Sequence, residues 1–203
     1  MNEQQLWDEM IAKHIREGQQ YAAQGCQTAA DNQFRTAFEV LVRSYQRAVV
    51  GFCAHMLREW TVQAEDIAQD VFLAIWQTLP QFRHEARIRT WVFTIARYHC
   101  VDAWAQRARH ANPHEFSERQ EEDLPMAAPS AHEQYEHDEF LRWVKQALAQ
   151  LPPSEREVLV LTYIAELPPA EIAGVLGLTE AGVRTRRRRA LDHLREIVVH
   201  EHP

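Results

Sequence analysis

Arg184, Arg186, Arg187, Arg188, Arg189 and Arg195 crowd a stretch in which Asp192 is the single carboxylate between positions 181 and 195, net +5. A guanidinium is planar, permanently charged and offers a fork of donors. It pairs in bidentate fashion with phosphate oxygens or with the edge of guanine. A second basic island spans 83–109, with six arginines against Glu85 and Asp102, net +4. Within it Phe82, Arg83, His84, Glu85, Arg87 and Arg89 form a polar, arginine-rich stretch. Such a loop offers cations to phosphates and polar groups to an unstacked base. Between the islands, 110–139 carries nine carboxylates against Arg119, net −8. The net charge of the whole chain, −7, taken alone argues against a nucleic-acid partner. Its segregation into two basic islands around an acidic bridge removes that objection. The competing reading of each island is a solvated helix face.

Other chemistries find little support. No GxxxxGK[ST], GxGxxG or HExxH pattern occurs, so phosphate-loop, dinucleotide and zinc-protease sites are not expected. His110 and His114 are four apart but sit in a proline-interrupted acidic stretch without a third ligand. The three cysteines, Cys26, Cys53 and Cys100, are widely spaced and form no CxxC pair. They suit free thiols in a reducing cytoplasm better than a disulfide framework or a zinc site. No cofactor or metal is expected, and no enzymatic activity. No apolar run reaches membrane-spanning length, and MNEQQLWDEM lacks the basic and apolar regions of a signal peptide. A cytoplasmic protein without membrane insertion is expected.

The elements that must position these residues read as helices throughout. Alternating strands and Asn-Gly or Asp-Gly hairpin turns are missing from the sequence. The stretch 109–132, with Pro113, Pro125 and Pro129, reads as a linker. It separates a helical domain at 34–108 from a second at 133–200. Residues 1–33 form an amphipathic helical extension through Leu6, Met10, Ile11, His14 and Ile15. In the second domain, Pro152 and Pro153 close one helix, and Ser154 with Glu157 suggests a capping box. Leu167-Pro168-Pro169 closes the next. A short helix at 170–176 is followed by a Gly177-Leu178 turn, Thr179 as N-cap and a helix to about 199. Ala173, Gly177 and Val183 fall in helix-turn-helix register: a small residue at the crossing, a glycine for the turn and an apolar anchor on the second helix. At about 100° per residue, Val183, Ala190, Leu191, Leu194 and Ile197 define the packed side, with Arg187 snorkelling at its rim. Thr185, Arg188 and Arg189 then face outward, with Arg184 and Arg186 on the flanks.

The segment LPPSEREVLVLTYIAELPPAEIAGVLGLTEAGVRTRRRRALDHLRE resembles region 4 of sigma-70-type factors, which binds the −35 promoter element. AEDIAQDVFLAIW (64–76) is similar to the part of region 2 that docks on the clamp of RNA polymerase. FRHEARIRTWVFTIARYHCVDAW (82–104) is similar to the part that recognises and melts the −10 element. Two such regions joined by a short linker resemble the extracytoplasmic-function (ECF) group. The resemblance implies an all-α fold of two small domains and a role in promoter recognition and transcription initiation. It implies polymerase contacts at Asp66, Gln69 and Asp70; the four-residue recurrence of Ile67, Val71 and Ile75, widened by Phe72 and Trp76, makes the opposite, apolar face. It implies −10 contacts at Phe82, Arg83, His84, Glu85, Arg87, Arg89 and Arg97, with Arg107 a further candidate; Trp91 could stack on a base, but its helical spacing places it in the core. It implies −35 contacts at Thr179, Arg184, Thr185, Arg186, Arg188 and Arg189. The implied partners are core RNA polymerase (clamp and flap), promoter DNA and an anti-sigma protein. His84 departs from a common glycine, His99 and Arg187 from apolar residues, which bears on promoter preference. The rival readings are a stand-alone helix-turn-helix regulator and a helical adaptor.

Overall fold

Apolar residues recur at helical spacing along the chain, and the computed structural model places them on the inner faces of helices. The structure describes residues 3–57, 61–110, 144 and 146–201, and no strand occurs among them. The expected acidic linker lies outside the described residues except at 109 and 110. In chain order the helices are α1 (Glu3–Ala23), α2 (Gln27–Leu57), α3 (Thr61–Thr78), a 3-10 turn (Leu79–Gln81), α4 (Ile88–His110), α5 (Pro153–Tyr163), α6 (Pro169–Leu176) and α7 (Glu180–Glu201). Residues 146–150 are helical and precede α5.

The amphipathic extension is α1, whose Ile11 and Ile15 are fully buried. It turns back on α2 through Gly25, whose φ of 76° suits a residue without a Cβ. Close approach of the two helices depends on Gly18, because a Cβ there would lie 2.7 Å from the Phe34 ring. The expected boundary at 33/34 falls inside α2, and that at 108/109 inside α4. α2 runs through the first boundary because Ala30, Phe34 and Ala37 continue one buried face, and α4 continues to His110. Tyr45 and Phe52 of α2 meet Phe93 of α4 in edge-to-face contacts at 6.4 and 5.5 Å. These rings form the centre of the first half's core.

The capping box expected at Ser154 does not form. Pro152 is the N-cap and Pro153 opens α5, since proline at the first helical position sacrifices no hydrogen bond. Ser154 is therefore already inside the first turn. The turn after α6 follows the sequence reading. Gly177 has φ 63°, and the Leu178 amide donates to the Ala173 carbonyl at 2.9 Å. Thr179 Oγ1 accepts from the Gly182 amide at 3.1 Å and caps α7.

The two halves touch. Gly174 of α6 lies against Thr90 of α4. The Arg156 guanidinium of α5 sits 5.8 Å from the Trp104 ring of α4.

Candidate nucleic-acid interface

Val183 and Ala190 are buried against α5 and α6. That fixes the rotation of α7 and turns Arg184, Thr185, Arg188 and Arg189 to solvent. Arg186 and Arg187 are half-buried. Arg188 is 86% exposed, and its Nε lies 3.9 Å from Asp192. Arg184 holds Glu180 at 3.2 Å. The Thr185 hydroxyl donates to the Ala181 carbonyl at 2.9 Å. Thr179 is exposed while it caps the helix. Leu191, expected on the packed side, is exposed instead. The contact strip is narrower than an angular count suggests, and Leu194 and Ile197 pack at its edge.

The arginine-rich loop spans 82–87, between the 3-10 turn and α4; Arg89, expected in the loop, lies in the first turn of α4. Phe82, expected as a contact residue, is buried. Its ring packs on Trp91 at 4.9 Å and on His84 at 4.7 Å. It anchors the loop and is too buried to stack on a base. Arg83, Glu85 and Arg87 are exposed; His84 and Arg89 are half-buried. His84 adopts φ 59°. This is the left-handed conformation that suits glycine and that histidine tolerates better than most residues. Burial, with the nearby Arg16, pushes the His84 imidazole below its ordinary pKa.

Carboxylates of the second half pair with arginines of this surface. Arg97 Nε donates to Glu157 Oε1 at 2.6 Å. Arg87 and Thr90 donate to the two oxygens of Glu171, both at 2.9 Å. Arg89 lies 3.6 Å from Glu166. Glu157, which the sequence suggests as half of a cap, is buried and serves this contact between halves. His99, where the family commonly has an apolar residue, is half-buried beside Tyr98.

On α3 the buried stripe is Ala64, Ala68, Val71 and Ile75. Ile67 and Phe72 are only half-buried, and Trp76 is 40% exposed. Asp66, Gln69 and Asp70 are exposed. Leu73, on the same helical face as these three, is 55% exposed. Sequence reasoning missed Leu73, although its spacing of three from Asp70 and four from Gln69 was the available signal. It also missed the exposed Tyr98 and Val101 of α4.

Two family models match the chain: Sigma-70 region 2 over residues 41–110 and Sigma-70, region 4 over residues 141–194. The ECF RNA polymerase sigma factor RpoE of Cereibacter sphaeroides is 31% identical over 172 residues, covering 82% of this chain and 88% of its own. The chain belongs to the ECF group of the sigma-70 family. As such it is an RNA polymerase sigma factor that directs transcription initiation. Among solved structures, CnrH in complex with the cytosolic domain of CnrY is 25% identical, with a TM-score of 0.60 over 81% of this chain and 88% of that one. The sigma factor RpoE of Bartonella quintana, solved with the anti-sigma factor NepR, is 20% identical and shares the fold. Its TM-score is 0.66 over 79% of this chain and 96% of that one. The helix-turn-helix and the upstream helices are thus parts of one promoter-specificity subunit, and a stand-alone regulator is not favoured. No helix among the described residues is long and apolar enough to cross a membrane.

Proposed function

We propose that this sigma factor divides promoter recognition between the outer face of α7 and the surface formed by the 82–87 loop and α4. Arg184, Thr185, Arg188 and Arg189 enter the major groove of the −35 element, with Thr179 and Arg186 at its flanks. Arg83, His84, Glu85, Arg87, Arg89 and Arg97 engage the −10 element as it opens, and Phe82 holds the loop that carries them. Asp66, Gln69 and Asp70, with Leu73 beside them, dock on the polymerase clamp. The second half also meets the flap. The observation that carries this reading is the rotation of α7. Burial of Val183 and Ala190 leaves four of the expected −35 residues exposed together. An arginine fork on a helix in the major groove is suited to guanine edges and to phosphates.

Glu157 and Glu171 hold Arg97 and Arg87 in the free chain. On this reading a promoter phosphate replaces each carboxylate, so binding to DNA and separation of the halves are one event. The polymerase supplies the phosphoryl-transfer chemistry; this chain supplies recognition and works in the cytoplasm beside it. The Bartonella relative was solved with an anti-sigma factor, and an anti-sigma protein is the proposed inhibitory partner here.

The test is reconstitution with core RNA polymerase and a library of duplex promoters. Promoter-specific transcripts that vanish on combined Arg188→Ala and Arg189→Ala substitution are expected. Tight DNA binding without core binding or transcripts would sink the proposal and restore the stand-alone regulator.

A further inference from the structure

The matched family segments begin at residue 41, so α1 lies outside them. Yet α1 reaches the arginine-rich loop directly. Gln19 Nε2 donates to the Phe82 carbonyl at 2.9 Å and to the Pro80 carbonyl at 3.1 Å. One side-chain amide, with its two hydrogens, thereby holds two carbonyls where the chain leaves the 3-10 turn. Phe82 is also the ring on which His84 and Trp91 pack. Arg16, one helical turn before Gln19, lies close enough to His84 to disfavour its protonation. The rest of α1 is fastened to α2, which makes it a rigid support. Tyr45, buried and packed on Phe93, donates its hydroxyl to Asp8. His14 and Gln33 share a hydrogen bond of 2.6 Å. Gly18, next to Gln19, seats α1 against the Phe34 ring.

We infer that α1 is a strut for the loop and that Gln19 is a positioning residue for promoter opening, acting through the Pro80 and Phe82 carbonyls rather than by touching DNA. The inference rests on the assignment of the 82–87 loop to the −10 element. A loop that must receive an extruded base gains from being held in its receiving shape before the strand arrives, because ordering it later would cost conformational entropy. A leucine at 19 keeps the helix and the approximate volume but donates nothing. A glutamate cannot donate and sets a negative charge against two carbonyl oxygens. A lysine restores donors at similar reach.

The experiment compares Gln19→Leu, Gln19→Glu and Gln19→Lys in full-length protein bound to core polymerase. Closed-complex affinity and the rate of −10 opening are read separately on a promoter carrying 2-aminopurine. An Arg83→Ala/Arg87→Ala variant serves as the direct loop control. The expected result is opening slowed about tenfold in Gln19→Leu, more in Gln19→Glu and less in Gln19→Lys, with core affinity and closed-complex affinity within twofold of the parent. Parent-like opening in Gln19→Leu, alongside slow opening in the loop control, would overturn the role of Gln19 and leave the loop assignment standing. Parent-like opening in the loop control would overturn the loop assignment and the strut with it. A fall in core affinity parallel to the fall in opening, without recovery in Gln19→Lys, would mean general loss of structure and would also overturn the inference.

Discussion

His84 holds a backbone conformation that glycine would adopt at lower cost, and its ring is packed on Phe82. Its folded pKa lies below the unfolded value because burial, and then Arg16, disfavour the imidazolium. The stability gained from the neutral ring is complete above the unfolded value of about 6.5. It is lost as pH falls through the lower folded value. Thermal unfolding at a series of pH values between 5 and 8 should therefore show the parent losing stability at the acid end. His84→Asn, which tolerates the same φ, should lose less; parallel profiles would refute the assignment. Arg188 is more exposed than Arg184 and Arg195, which also pair with carboxylates of α7. Arg188→Ala should cost about 1–3 kcal/mol at one −35 position if it reads a base. Uniform weakening across sequences, with a shallower salt dependence, would identify a phosphate contact instead. Binding assays on a panel of −35 variants at two salt concentrations distinguish the two.

At the scale of elements, two glycines act through different physics. Gly177 ends α6 in the left-handed region, with nothing within 4 Å of where a Cβ would stand. Gly177→Ala should destabilise the second half by about 1–2 kcal/mol through backbone strain alone. Gly18 has ordinary helical geometry but a crowded site. Gly18→Ala should cost about 1–3 kcal/mol by forcing α1 from Phe34. Denaturant unfolding checks both. The Gly177 site should accept asparagine with less loss, and the Gly18 site should not. The Gly177 turn was legible in the sequence because its determinants, Ala173, Gly177 and Val183, act within one short window. The start of α5 was misread because a capping pattern at Ser154 competed with Pro152 and Pro153, which open the helix two residues earlier. Leu191 was misplaced because angular position alone does not say how far a neighbouring helix reaches.

The whole molecule is closed by pairing across long sequence separations. Arg97 meets Glu157, and Arg87 with Thr90 meets Glu171. The Arg87 side chain is 73% exposed, whereas Arg97 is 34% exposed and faces a carboxylate that is 8% exposed. Salt should therefore weaken the Arg87 pair first. A Glu157→Gln/Glu171→Gln double variant should separate the halves of the free protein more readily. The measurement is the radius of gyration by small-angle scattering as a function of salt. Expansion at lower salt than the parent is expected, and an unchanged curve would show that the apolar contacts alone hold the halves together.

The sequence by itself determined the helical class, the helix-turn-helix, the segregation of charge and the two regions of a sigma factor. All of these depend on residue type and short-range spacing, which the helical repeat converts directly into faces and turns. The tertiary structure decided which of the implicated residues are available. It buried Phe82 as the anchor of the loop, exposed Leu73 beside Asp70, and tied Arg87 and Arg97 to carboxylates of the other half. It also gave the extension at 1–33 a contact with the loop through Gln19. The contacts of Arg97, Arg87 and Gln19 join residues sixty to eighty-four positions apart, for which local periodicity carries no signal; Phe82 and Leu73 turn instead on how near neighbours pack, which residue type alone does not decide.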